Sequence, residues 1–138
     1  MYCHTALHAL SEMDHMAPPG GHYSHAVVAQ GMVYLSGQLP ITADGEKLTH
    51  APFEEQARQT LANISAILDA CNAGVAQLVH VRIYIDDIAN WGRFDAIYRT
   101  WVGEWKPARA VVPVPALHYG FKLEVEAVAS LPQPADFA

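Results

Sequence analysis

The stretch "KPARAVVPVPALHYGFKLEVEA", residues 106–127, decides how the chain reads. It holds most of two β-rich runs, "ARAVVPV" (108–114) and "FKLEVEAVAS" (121–130), and each carries charge where a packed sheet favours none. Read as an antiparallel hairpin with its loop centred between Ala116 and Leu117, the register sets Arg109 opposite Glu124. Directly opposed Cβ atoms lie about 4.5–5.5 Å apart, so the two side chains are expected to share one site. A slip of one residue sends them to opposite faces. Two readings of the pair stand side by side. As a surface ion pair it contributes about 0–1 kcal/mol and nothing more. As a site, Arg109 offers a planar fork to a ligand carboxylate while Glu124 holds or activates a water.

Working outward, "LVHVRIYID" (78–86) alternates Val79, Val81, Ile83 and Ile85 against His80, Arg82, Tyr84 and Asp86, the pattern of a strand with one buried face. A helix is expected from about 87–90, with Trp91, Phe94, Tyr98 and Trp101 as its packing stripe. Upstream, "FEEQARQTLANISAILDACNAG" (53–74) places Phe53, Ala57, Leu61, Ile64, Leu68 and Cys71 on one helical face. Pro52 and two acidic residues stand at its start, and Gly74 is set for the left-handed position past its end. "HAVVAQ" (25–30) and "MVYLSGQ" (32–38) flank Gly31 as two strands of a hairpin. The order ββαβαββ predicts an α+β sandwich, one sheet with both helices on one face. Its other face, with Tyr84 and Val111, is too apolar to leave in water, and a closed oligomer is the expected cover.

At 138 residues, 51% hydrophobic and 16% charged, the chain is one ordered domain rather than two or a disordered segment. No apolar run reaches the roughly 20 residues that span a bilayer, so no membrane partner is expected. A net charge of −6 with eight scattered Lys and Arg opposes nucleic-acid binding. Residues 1–16 lack a sustained period and precede the breaker cluster "APPGG" (17–21). The expected division is therefore a partly flexible extension over 1–16 and a single domain over 17–138. The amino terminus has neither the basic nor the apolar region of a secretory signal, so a cytoplasmic location is expected. Cys3 and Cys71 are expected reduced. The spacings of His4, His8, His15, His22 and His25 match no tight ligand motif, so no metal site is expected. Nucleotide-binding loops and a nucleophile elbow are absent from the sequence.

Several segments, in order, resemble the RidA family, also called the YjgF or reactive-intermediate-deaminase family. They are "APPGGHYSHAV", "VYLSGQLP", "FEEQARQTLANISAILDACNAG", "YIDDIANWGRFDAIY", "PARAVVPVPAL" and "KLEVEAVA". The resemblance implies a chorismate mutase-like fold in a homotrimeric barrel with clefts between subunits. It also implies a cofactor-free hydrolysis of enamines and imines, such as 2-aminoacrylate and 2-imino acids, to 2-keto acids and ammonia. By the same resemblance Arg109 binds the substrate carboxylate, Glu124 positions water or moves a proton, and Tyr23 closes the cleft. Ser36 and Gly37 line it, and Val111 acts through its backbone at a position where many members carry Cys. Other departures are Asp95 for Asn, His22 for Pro, and His118 for Pro after Leu117. A small-carboxylate-binding module without turnover is the alternative reading of the same clefts.

Overall fold

The hairpin expected of residues 106–127 does not form. In the computed structural model, which describes residues 8–11 and 13–132, the chain runs β1 (His8–Leu10), β2 (Ala26–Ala29), β3 (Met32–Gln38), α1 (Phe53–Ala70), β4 (Leu78–Ile85), α2 (Trp91–Val102), β5 (Ala108–Pro113) and β6 (Leu123–Ser130). The six strands form one sheet in the order β1-β2-β3-β6-β4-β5. β5 lies parallel to β4 at the sheet edge, while β6 enters between β3 and β4 and runs antiparallel to both. Strand, helix, strand is a crossover unit, and a crossover delivers its second strand parallel to the first. Pro113 and Pro115 then withhold backbone donors, which prevents a tight reversal. The last bond to β4 is donated by Val114 N–H to the Ile85 carbonyl at 2.9 Å. The chain reaches the sheet centre through a short turn, His118–Gly120, in which Tyr119 and Gly120 take φ of 58° and 68°.

The mixed sheet carries α1 and α2 on one face, as the element order predicts. The expected face of α1 is buried along its length, from Phe53 through Leu61 and Ile64 to Cys71. Burial pushes the Cys71 thiol up to about 11, which keeps it protonated and inert at neutral pH. Cys3 lies outside the described residues. The helix ends earlier than expected: Asn72 takes the left-handed conformation at φ 57°, and Gly74 is extended. In the β2–β3 hairpin Gln30 and Gly31 both have positive φ, 54° and 75°, as a two-residue turn matched to strand twist requires.

Three expectations about faces are corrected. The pairing of β4 with β6 slips between Leu78 and His80, so Leu78 is buried and Val79 is 43% exposed. Val111 pairs with Ile83 and packs towards the helices, so Val112 takes its place beside Tyr84 on the open face. On α2, Phe94 and Tyr98 are buried but Trp91 points outward. Order also starts before "APPGG": β1 pairs with β2 and buries Leu10. The expected flexibility of 1–16 concerns in part residues outside those described. Among the described residues no helix is long and apolar enough to cross a membrane.

Candidate active site

The first group of expected site residues gathers where β3 meets β6. Their register shifts between Leu35 and Gln38, and a bulge of this kind re-aims the strand at the "SGQ" segment. Ser36 N–H donates to the His25 carbonyl at 2.9 Å, and Ser36 Oγ donates to the Ser24 carbonyl at 2.6 Å. Those two bonds tie the loop that bears Tyr23 to β3. Gly37 lies against the Glu124 carboxylate so closely that a Cβ at residue 37 would come within 2.9 Å of Glu124 Cδ and still closer to Oε2. Only glycine admits that approach. Tyr23 is about half exposed, and with Gly37 and Gln38 it lines a small cavity of about 40 Å³.

Burial raises the Glu124 carboxyl above the ordinary carboxylate range; His118 opposes that shift and Glu126 adds to it. A carboxyl raised in this way holds a proton more readily than a free carboxylate, as a group that takes and returns protons requires. Glu124 stands on the open face beside Tyr84, whose hydroxyl donates a short hydrogen bond to Glu126.

Sequence reasoning missed Asn63, which holds this region from behind. Its Nδ2 donates to the Leu39 and Ile41 carbonyls, both at 3.0 Å, and so fixes the chain leaving β3. A polar residue recurring on an otherwise apolar helical face was the available signal.

Arg109 belongs to a second group. It aligns with Val81 on β4, and Val81 in turn faces Ala127 on β6, so Arg109 is two strands and three residues out of register from Glu124. Arg109 also shares the helix face with Val81, whereas Glu124 shares the open face with Tyr84. The cross-strand pairing expected from sequence is therefore absent, and one chain does not bring the two charges to one small ligand.

Instead α2 seats the arginine. Its guanidinium carbon lies 4.8 Å from the centre of the Tyr98 ring, and Nη1 donates to Asp95 Oδ1 at 2.8 Å. Arg99 Nε donates to the other Asp95 oxygen at 3.0 Å. Hydrogen bonding from Arg109 depresses the Asp95 carboxyl below its usual range; burial opposes the shift and Arg99 reinforces it. These residues border an open cleft of about 610 Å³, with Val102, Trp105 and Pro107 as its apolar wall. The Val111 side chain packs on the core and leaves only its backbone, on an edge strand, for ligand contact. Among the described residues no three metal-ligating side chains converge.

A family model described as Endoribonuclease L-PSP matches residues 14–131. The 2-iminobutanoate/2-iminopropanoate deaminase of Rattus norvegicus is 34% identical over 109 residues, covering 79% of this chain and 80% of that protein. The crystal structure of YyfA from Yersinia pestis, of the conserved Rid family, superposes with a TM-score of 0.85 at 34% identity, covering 91% of this chain and all of that one. That of E. coli TdcF with bound serine gives 0.83 at 29% identity, covering 89% and 98%.

Proposed function

The chain belongs to the Endoribonuclease L-PSP family, and we propose that it is a cofactor-free deaminase of 2-imino acids acting in clefts between subunits of a homotrimer. The observation that carries this reading is the separation of Arg109 and Glu124 onto different faces of one sheet, each with its own supporting residues. Two half-sites on one chain make a whole site when a neighbour's Glu124 meets this chain's Arg109. Relatives named 2-iminobutanoate/2-iminopropanoate deaminase support this choice of reaction.

In this reading Arg109 binds the substrate carboxylate and fixes the imine carbon, a gain of proximity and orientation. Protonated on nitrogen, that carbon is already electrophilic. Glu124 accepts a proton from water as its oxygen adds to the carbon, then returns the proton to the nitrogen. As the C–N bond breaks, its electron pair leaves with nitrogen and Glu124 takes the remaining hydroxyl proton, giving the 2-keto acid and ammonia, which takes up that proton as ammonium; carbon keeps its oxidation state. Tyr23, Ser36 and Gly37 frame the water side, and the Val111 backbone borders the carboxylate side. The soluble deaminase would work in the cytoplasm.

The second reading is a small-carboxylate-binding module without turnover, and serine bound in the similar TdcF is a small carboxylate of that kind. Ribonuclease action, suggested by the family's description, is opposed by the net charge of −6. The test is to generate 2-iminopropionate in place with an amino-acid oxidase and follow its loss. Acceleration by wild type that vanishes in Arg109→Ala supports the deaminase. Stabilisation by carboxylates with no acceleration supports the module.

A further inference from the structure

Asp95 is the feature of the arginine half-site that the reaction itself does not use. It accepts from Arg109 at 2.8 Å and from Arg99 at 3.0 Å, and its side chain is only 15% exposed. Arg109 is 22% exposed and spends one nitrogen, Nη1, on Asp95. Its ring-side face rests on Tyr98. The guanidinium is thus turned and held at one corner, with donors left over for a carboxylate of two oxygens. Arg99 is 80% exposed and Lys106 stands at the solvent rim of the cleft. The cationic groups around the cleft therefore number three, and Asp95 is the single acid among its lining residues.

We propose that Asp95 tempers the charge selectivity of the Arg109 cleft, holding the guanidinium and cancelling one unit of the cleft's positive charge, so that 2-imino and 2-keto acids with two carboxylates gain less over those with one than they would without it. This rests on the reading of Arg109 as the carboxylate-binding residue. The physical basis is simple. Any change in local potential acts once on a monoanion and twice on a dianion, so removing the Asp95 charge strengthens dianion binding by the larger factor. A unit charge about 6 Å away, at an effective dielectric between that of a protein surface and water, changes affinity by roughly tenfold per ligand charge. Asp95→Asn keeps an oxygen that accepts from Arg109, so geometry and charge are separated. Asp95 is a positioning and selectivity residue, since it contacts the arginine and not the reacting atoms.

The test compares two unreactive probes, 2-oxobutanoate and 2-oxoglutarate, by calorimetry with the full chain at fixed low salt and pH 7.5. Asp95→Asn should shift the ratio of dissociation constants towards 2-oxoglutarate by about tenfold. Arg99→Gln should shift it the other way, and by less, because Arg99 is solvent-exposed and screened. A purely structural role for Asp95 would weaken both probes equally. An unchanged ratio in Asp95→Asn, with 2-oxobutanoate binding still abolished by Arg109→Ala, overturns the assignment of Asp95 alone. Binding of 2-oxobutanoate that survives Arg109→Ala removes the underlying reading of the cleft as well.

Discussion

Two carboxylates, Glu124 and Asp95, sit in the two halves of the candidate site, and the fold pushes their acidities in opposite directions. Glu124 is on a central strand, pressed against the Gly37 backbone, and burial raises it. Asp95 is on a helix over the edge strand, between two arginines, and they lower it. The first half is fixed by shape and the second by charge. A site divided in this way keeps one carboxyl ready to exchange protons and the other permanently ionised as an anchor for a cation.

The largest effects should come from removing the two groups themselves. Arg109→Ala is expected to lower kcat/KM for 2-iminopropionate by at least about 10²-fold, because a misplaced carboxylate forfeits orientation. Glu124→Gln is expected to lower kcat by about 10²–10⁴-fold with a smaller change in KM. Steady-state assays on the two variants separate the roles: equal losses in KM would collapse the distinction between anchor and proton carrier.

Packing substitutions sharpen the contrast next. Gly37→Ala meets only the Glu124 side chain, whose carboxylate end can swing aside, so it should cost under about 1 kcal/mol in urea unfolding while displacing the carboxylate and lowering kcat. Asn63→Ala takes the side-chain donor from the Ile41 carbonyl, while the Leu39 carbonyl keeps the Ile41 N–H at 2.7 Å, and should cost about 1–3 kcal/mol. Neither change should respond to salt, whereas the Asp95 half should.

The smallest effects are in pH dependence, and their signs differ. The fold binds the Glu124 proton more tightly than the unfolded chain does, so ionising it lowers stability as pH rises from the ordinary carboxylate range through the raised value. Glu124→Gln should therefore be slightly more stable than wild type at pH 7, with the gap closing in acid. Asp95 behaves oppositely: its contribution is present above the ordinary range and lost as pH falls through the lowered value. Asp95→Asn should flatten the acid limb of a plot of Tm against pH. Parallel shifts in both variants would contradict the division into shape and charge.

Local patterns revealed more of this molecule than long-range ones did. The apolar stripe of α1 and the Gln30–Gly31 turn follow from spacings within a few residues, and both are in the structure. The partner of β5 was not legible by treating β5 and β6 as neighbours, since adjacency in sequence mimics a hairpin. Yet the helix between β4 and β5, and the prolines at 113 and 115, signal a parallel crossover. The bulge that exposes Val79 depends on pairing with a strand far along the chain and leaves no trace in the alternation of β4. For the site, Arg109 and Glu124 stood out as charges in β-rich runs, and their roles came from the family resemblance. Their seats, Tyr98 with Asp95 and Gly37 with its bulge, needed the sheet order to be seen.

The central claim is that a complete site takes Arg109 from one chain and Glu124 from another. Mixing Arg109→Ala with Glu124→Gln, after dissociation and reassembly, tests it most directly with 2-iminopropionate as substrate. Each variant alone should be nearly inactive, and a one-to-one mixture of randomly assorted trimers should recover about a quarter of wild-type activity, because some interfaces join two intact halves. A mixture no more active than its components, in trimers verified to have exchanged chains, would contradict the shared site.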